Sequence, residues 1–183
     1  MIEREIKLRF DSAEAARAAL GELGATPLRA RRLQDDSLLD MEDMRLQRAG
    51  CSLRLRRDGD DATITWKGPV VPGPMKAREE GETVVGKADD AQVILGAIGF
   101  VLRFRYQKFR EELMLDGLVV AIDETPVGTF VELEGDEASI AFVAQRLGRT
   151  QSDYVLASYR SLFLEHRQAT GGHGAHMVFD GPR

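Results

Sequence analysis

The sequence contains one cysteine, no long apolar run and no surplus of basic residues, and each absence excludes a class of protein. Because Cys51 has no partner within the chain, an internal disulfide framework is excluded, which fits a cytoplasmic location. No apolar stretch approaches the roughly 20 residues of a membrane-spanning helix, and the charged N-terminus predicts no signal peptide, so we expect no membrane partner. The net charge of −5 argues against nucleic acid as a partner.

The residues that are present suffice for one globular domain. Of the 183 residues, 43% are hydrophobic, so a full core can form. Helix caps, apolar periodicity and terminal glycines predict four helices, over residues 15–23, 91–98, 138–147 and 152–168. The predicted caps are Asp11 or Ser12, Asp89 or Asp90, and Asp136. The Gly-rich end of the chain predicts a flexible tail over residues 166–183.

The first predicted strand, over residues 2–8, has an unusual distribution of charge. Alternation along a strand places Glu3, Glu5 and Lys7 on one face, with Ile6 and Leu8 on the other. Two carboxylates at i and i+2 lie roughly 7 Å apart and repel by about 2 kcal/mol at an effective dielectric of 20. The pattern therefore predicts a positive partner, either a divalent cation or a row of basic side chains. A solvated edge strand is the alternative.

Later predicted strands repeat this pattern, with fixed charge on one face and apolar residues on the other. A half-buried sheet normally shows mixed polar residues on its wet face. Closing the strands into a barrel would instead gather the charged faces in one lumen, with the apolar faces under the helices. The acidic members of this set are Glu3, Glu5, Glu80, Glu82, Asp123, Glu132 and Glu134, and the basic members are Lys7, Arg54, Arg56, Lys67, Arg78, Lys108 and Arg110.

Several of these positions form motifs in a recognisable order. Glu3-x-Glu5-x-Lys7 resembles the E-x-E-x-K signature of the CYTH, or triphosphate tunnel metalloenzyme, superfamily. The further matches, in chain order, are Leu53-Arg54-Leu55-Arg56, Thr65-Trp66-Lys67-Gly68-Pro69, Arg78-x-Glu80-x-Glu82, Lys108-x-Arg110, Asp123, Gly128-x-x-x-Glu132-x-Glu134 and Ser158-Tyr159-x-x-Leu162. The resemblance covers residues 1–165. It implies an α+β fold, an eight-stranded antiparallel β-barrel with a charged lumen and flanking helices, and a homodimer as a family-level expectation.

The resemblance also implies roles for the charged residues. Mg²⁺ or Mn²⁺ would be held by carboxylates, as hard cations prefer: Glu3, Glu5, Glu132 and Glu134, with Asp123 nearby. Phosphate oxygens would be bound by the basic residues: Lys7, Arg54, Arg56, Lys67, Arg78, Lys108 and Arg110. Catalysis would then rest on Lys7 and the acidic set of Glu3, Glu5, Asp123, Glu132 and Glu134. Glu80 and Glu82 fit metal binding and bracing of Arg78 about equally.

Three functions remain open on this basis. The first is a metal-dependent phosphohydrolase that cleaves inorganic tripolyphosphate or an organic triphosphate such as thiamine triphosphate. The second is a class IV adenylate cyclase, which uses the same metal site but releases pyrophosphate and cyclic AMP from ATP. The third is a non-catalytic polyphosphate or nucleotide sensor. The complete acidic set favours an enzyme, since anion binding alone does not need carboxylates in the cavity.

Overall fold

A computed structural model describes residues 2–180 and shows a closed barrel of eight antiparallel strands. The strands are β1 (Ile2–Phe10), β2 (Thr26–Met41), β3 (Ser52–Asp58), β4 (Asp61–Val71), β5 (Lys76–Val85), β6 (Phe100–Leu115), β7 (Leu118–Thr125) and β8 (Gly128–Glu134). The helices are α1 (Ala13–Glu22), α2 (Arg45–Arg48), α3 (Ala88–Ala97), α4 (Glu137–Arg146) and α5 (Tyr159–Thr170). Around the barrel the order is β1-β5-β4-β3-β2-β6-β7-β8, and β1 closes the ring by pairing with β8. Within the described residues, none of the helices is long and apolar enough to cross a membrane.

The predicted closed barrel is confirmed. Its apolar side chains face outward, toward the helices, and its charged side chains face the interior. Ile6 and Leu8 are fully buried on the outer face of β1, where they join Leu133 of β8. Helices α1 and α4 cover this layer through Leu20 and Ile140, both also fully buried. Because successive side chains alternate, the charged residues of the same strands point into the barrel. The apolar core of this part of the molecule therefore lies outside the sheet.

The structure corrects two details of the sequence prediction and confirms two of the predicted helix caps. Helix α3 starts at Ala88, and Lys87 occupies the N-cap without a side-chain hydrogen bond, so the predicted Asp89 or Asp90 cap is wrong. Both aspartates lie in the first turn, where their charge interacts favourably with the helix dipole. The Ser12 and Asp136 caps are confirmed. The Gly68-Pro69 pair predicts the end of the strand that starts near residue 62, because proline cannot donate to a sheet, but β4 continues to Val71, with a register irregularity between Lys67 and Val70.

The fourth predicted helix, residues 152–168, starts later than expected. A short 3-10 turn over Gln151–Asp153 is followed by extended chain, and α5 begins only after its cap, Ser158. The backbone of Val155 exchanges two hydrogen bonds with Lys7, at 3.2 and 2.9 Å. Strand β5 pairs with β1 only as far as Glu5, so the backbone of Lys7 is left open on that side. Val155 pairs with this open part of β1, and the pairing keeps the chain around Val155 extended.

The start of α5 fills one end of the barrel. An aromatic cluster, containing Phe104 and Tyr106 of β6 and Phe130 of β8, extends into the interior on the same strand faces as Lys108 and Glu132. Its remaining members come from the C-terminal part of the chain: Tyr159, Leu162, Phe163 and Met177. The cluster closes that end and leaves the rest of the lumen to the charged side chains.

Part of the segment predicted as a flexible tail, residues 166–183, contacts the rest of the fold, and residues 181–183 lie outside the described residues. Residues 166–170 belong to α5, and Met177 is fully buried in the aromatic cluster. The Met177 N–H donates to the Arg105 carbonyl at 3.0 Å, and the Gln107 N–H donates to the Met177 carbonyl at 2.8 Å. Strand β7 pairs with β6 only from Phe109 onward, so this part of β6 has an edge that the C-terminal segment covers.

Candidate active site

The inward faces of the strands surround a cavity of about 300 Å³. Its walls contain almost all of the side chains that the sequence predicted for the site: Glu3, Glu5, Lys7, Arg54, Arg56, Lys67, Arg78, Glu80, Glu82, Lys108, Arg110, Glu132 and Glu134. They meet because each lies at an inward position of its strand, although they come from six strands spread over the chain. Asp123 shares the inward face, since it lies directly opposite Arg110 in the sheet, but it is fully buried beneath Arg110 and Lys108 and does not line the cavity.

Asp123 holds two of the basic residues in place. Its carboxylate accepts hydrogen bonds from Lys108 Nζ at 2.7 Å and from Arg110 Nε and Nη2 at 2.7 and 2.6 Å. The Tyr159 hydroxyl donates a fourth, at 2.7 Å. Burial works against its ionisation, but Arg110 and Lys108 outweigh burial and lower the pKa of Asp123. Four donors therefore occupy the accepting positions of this carboxylate.

Glu132 and Glu5 hold a third base, Lys7, between them. The Lys7 ammonium lies 3.3 Å from Glu5 and 3.4 Å from Glu132 and is almost completely buried. Glu132 also pairs closely with Arg110. Despite burial, Arg110, Lys108 and Lys7 keep the pKa of Glu132 well below its usual range. Both carboxylates are therefore charged in a buried site because several cations surround them.

Among the residues of the site that were not predicted, two pair with predicted side chains. Asp36 of β2 is fully buried and accepts from Arg56 Nε at 2.8 Å and Nη2 at 3.1 Å, with Arg54 at 3.7 Å. Lys76 of β5 lines the cavity and pairs closely with Glu5. The sequence could have predicted an inward position for Lys76, because it lies two residues before Arg78 on the same strand and therefore on the same face.

The residues of β5 face the bases of β3 and β4. Glu80 pairs closely with Lys67, and Glu82 accepts from Thr65 Oγ1 at 2.5 Å. Arg78, predicted as a phosphate ligand, donates to the backbone carbonyls at Gly68 and Gly50, at 2.6 and 2.8 Å. Arg78 therefore also holds the backbone of β4 and of the turn before β3 beside the cavity.

The carboxylates of Glu3 and Glu134 differ from the others because neutralising cations are scarce around them. Burial, a hydrogen bond with Glu80 and repulsion from Glu134 raise the pKa of Glu3 to about 7. Burial and repulsion from Glu5 and Glu132 raise the pKa of Glu134. Neither makes a Lys or Arg ion pair within residues 2–180. A small second cavity is lined by Glu3, Glu5, Lys76, Arg78, Glu80 and Glu134.

This local excess of negative charge fits a hard divalent cation. Carboxylate oxygens are the ligands that Mg²⁺ and Mn²⁺ prefer, and a cation would relieve the repulsion between Glu3 and Glu134. Within the described part of the chain, no three Asp, Glu, His or Cys side chains already converge on a metal position. The donor set therefore fits by its chemistry, and the carboxylates would have to draw together on binding.

Comparisons with known proteins agree with this fold. The chain is 28% identical over 135 residues to a Methanocaldococcus jannaschii protein named as a candidate adenylate cyclase, covering 73% of this chain and 77% of that protein. A Vibrio parahaemolyticus structure, also named as a candidate adenylate cyclase, superposes with a TM-score of 0.77 at 20% identity, covering 90% of this chain and 98% of that one.

A Hippeastrum protein, named as a candidate adenylyl cyclase and described as having a dominant triphosphatase activity, superposes with a TM-score of 0.68 at 17% identity. That match covers 90% of this chain and 95% of the other. At such identities these structures show a shared fold. The model of the CYTH domain family matches residues 1–152, and the chain therefore belongs to the CYTH family.

Proposed function

We propose that this protein is a divalent-metal-dependent phosphohydrolase that cleaves a triphosphate, inorganic or organic, inside the barrel. The observation that supports it is a cavity of about 300 Å³ inside the barrel whose walls are dense in cationic side chains. These cations are Lys7, Arg54, Arg56, Lys67, Lys76, Arg78, Lys108, Arg110 and Arg160. The volume is at the small end of the roughly 300–1,000 Å³ found for ligand sites. A short polyanion fits both the size and the charge.

The basic residues are held in position before a ligand arrives. Asp123 fixes Arg110 and Lys108, and Asp36 fixes Arg56, each through hydrogen bonds at 2.6–3.1 Å. Bond cleavage in a triphosphate depends mainly on positioning and on stabilising the charge that develops on phosphate oxygens. Side chains that are already oriented do not need to reorganise in the transition state. In this proposal Asp123 orients bases and is not a metal ligand.

The metal, by the same reasoning, would be held by Glu3 and Glu134, with Glu5 and Glu132 beside them. The CYTH superfamily is metal-dependent in general. A bound Mg²⁺ or Mn²⁺ would neutralise phosphate charge and lower the pKa of a bound water. Glu80 already pairs with Lys67, and Glu82 with Thr65, so we assign both to the bracing of neighbouring side chains.

Adenylate cyclase activity is the second candidate, favoured by the name of the Methanocaldococcus jannaschii relative. The cavity lining supports the hydrolase more strongly. Apart from Tyr106 and Tyr159, Leu38 is the one apolar side chain among the described residues of the lining. Both tyrosines are more than nine-tenths buried in the aromatic cluster. A purine base would find little apolar surface to pack against, whereas phosphates find basic groups on every side.

The test is to incubate the protein separately with tripolyphosphate, thiamine triphosphate and ATP, each with Mg²⁺, with Mn²⁺ and with EDTA. Orthophosphate, pyrophosphate and cyclic AMP are measured in every sample. Metal-dependent orthophosphate release from tripolyphosphate or thiamine triphosphate, without cyclic AMP, is the expected result. Cyclic AMP with an equal amount of pyrophosphate from ATP would make the protein a cyclase. Tight binding of these compounds without turnover under any metal would make it a sensor.

A further inference from the structure

Tyr159 lies where the aromatic cluster meets the charged cavity. It is the first residue of α5, its side chain is buried, and it nevertheless lines the cavity. Its ring packs against Phe130 edge-on, with centroids 5.7 Å apart, and against Tyr106 at 5.9 Å. These contacts fix the orientation of the ring, since an aromatic side chain has only two rotatable bonds.

The ring of Tyr159 also contacts two of the basic residues that the proposed function uses. Lys7 Nζ lies 5.2 Å and Lys108 Nζ 5.1 Å from the ring centroid. Both distances are within the roughly 6 Å over which an aromatic face attracts a cation, and the attraction is strongest where water is excluded. Both lysines are 2% exposed. One aromatic ring therefore stabilises two desolvated ammonium groups.

Of the two lysines, Lys108 depends more on its contact with the ring of Tyr159. An ammonium has three N–H donors. Within residues 2–180, Lys108 makes one hydrogen bond, to Asp123. Burial, together with repulsion from Arg110, lowers the pKa of Lys108 to about 8. The Tyr159 hydroxyl donates to the same Asp123 oxygen that accepts from Lys108, so hydroxyl and ring act on one group of charges.

We propose that Tyr159 is a positioning residue for phosphate binding: its ring holds the ammonium groups of Lys7 and Lys108, and its hydroxyl holds Asp123. The remaining N–H donors of Lys108 are then directed to the ligand. This inference rests on the proposed function, because it requires a polyphosphate in the cavity. Tyr159 itself has no role in bond cleavage.

The experiment replaces Tyr159 by phenylalanine and then by 3,5-difluoro- and 3,4,5-trifluorophenylalanine. Fluorine withdraws charge from the ring face while changing its volume little, so packing is preserved. We expect KM for tripolyphosphate to rise stepwise along the series, by about tenfold in total, with kcat changed far less. The dissociation constant of tripolyphosphate, measured by calorimetry, should rise in parallel.

Phe163→Leu is the matched control, because Phe163 belongs to the same aromatic cluster but contacts neither lysine. It should lower the melting temperature and leave KM unchanged, whereas Tyr159→Leu should raise KM. A flat KM across the fluorinated series, in a protein whose wild type hydrolyses tripolyphosphate, would overturn the inference and leave the proposed function standing. A wild type that neither binds nor hydrolyses a triphosphate would overturn both.

Discussion

Arg110 of β6 and Asp123 of β7 face each other directly in the sheet, and the arginine donates to both oxygens of the carboxylate, at 2.7 and 2.6 Å. Arg110 lines the cavity and is 9% exposed, whereas Asp123 is fully buried beneath it. The pair is the point at which the electrostatics of the site and the stability of the barrel depend on the same atoms.

Asp123→Asn should therefore destabilise the fold as well as the site. The substitution keeps the shape but leaves Arg110 and Lys108 buried with less negative charge, and breaking a buried ion pair in this way costs about 3–5 kcal/mol. Urea unfolding measures the loss. Asp89→Asn, which removes an exposed ion pair with Arg57, is the control and should leave the midpoint nearly unchanged. Equal unfolding midpoints for the two variants would contradict a stabilising role for the buried Asp123 ion pairs.

Glu3→Gln should have opposite effects without and with metal. Without metal it removes repulsion from Glu134 and Glu80, so the melting temperature should stay the same or rise. Saturating Mn²⁺ should raise the wild-type melting temperature by about 5 °C or more, and this shift should largely disappear in Glu3→Gln. Glu79→Gln, on the outer face of β5 next to β1, is the matched control. A full Mn²⁺ shift in Glu3→Gln would exclude Glu3 as a ligand.

Asp40 should give the protein a stability that depends on pH. Its carboxylate accepts from the backbone N–H groups of Met41, Leu46 and Gln47, at 2.7–3.0 Å. Although burial opposes ionisation, these hydrogen bonds lower the pKa of Asp40. A lowered native pKa stabilises the fold above the unfolded value of about 4, and this stabilisation is lost as the pH falls through the native value.

Asp40→Asn removes the charged acceptor and should cost about 1–3 kcal/mol near neutral pH. The difference from wild type should shrink as the pH is lowered below about 4. Urea unfolding from pH 7 to pH 3 measures both quantities. A difference that stays constant over this range would show that the charge of Asp40 is not the cause.

The C-terminal segment should contribute to stability through Met177. Met177→Ala removes a fully buried side chain from the aromatic cluster and should cost about 2–5 kcal/mol. Leu164→Ala, at a 41% exposed position of α5, is the control and should cost much less. Hydrogen exchange adds a local measurement: deleting residues 175–183 should expose the Gln107 N–H, which donates to Met177. Unchanged protection of that amide would show that the segment does not cover β6 in solution.

The barrel could be predicted because fixed charge alternates with apolar residues on nearly every strand. On β5 and β6 the in-phase charged positions Arg78, Glu80, Lys108 and Arg110 all line the cavity, as this alternation predicts. Where two residues of like charge are adjacent, alternation does not show which of them faces the interior of the barrel. Asp35 and Asp36 are such a pair, and only the fold shows that Asp36 faces Arg56 inside while Asp35 pairs with Arg105.

The start of α5 could not be read from the sequence for a different reason. Residues 152–158 are compatible with a helix, and nothing local forbids one. Their conformation depends on Lys7: the Lys7 N–H donates to the Val155 carbonyl, and the Val155 N–H donates to the Lys7 carbonyl. Tertiary pairing between residues so distant in sequence overrides local propensity. The same applies to Tyr159, whose two lysine contacts come from β1 and β6.

Closure of the barrel by β1 and β8 has a consequence for synthesis of the protein on the ribosome. Glu5 lies opposite Glu134, so β1, the first strand synthesised, pairs with β8, the last strand synthesised. Pairings so distant in sequence fold slowly, because a long loop must close before they gain any contact energy. Until β8 emerges, the nascent chain carries the charged face of β1 without the wall that completes it. The tunnel is therefore assembled after translation of the barrel, and a chain truncated before residue 128 has no tunnel to fill.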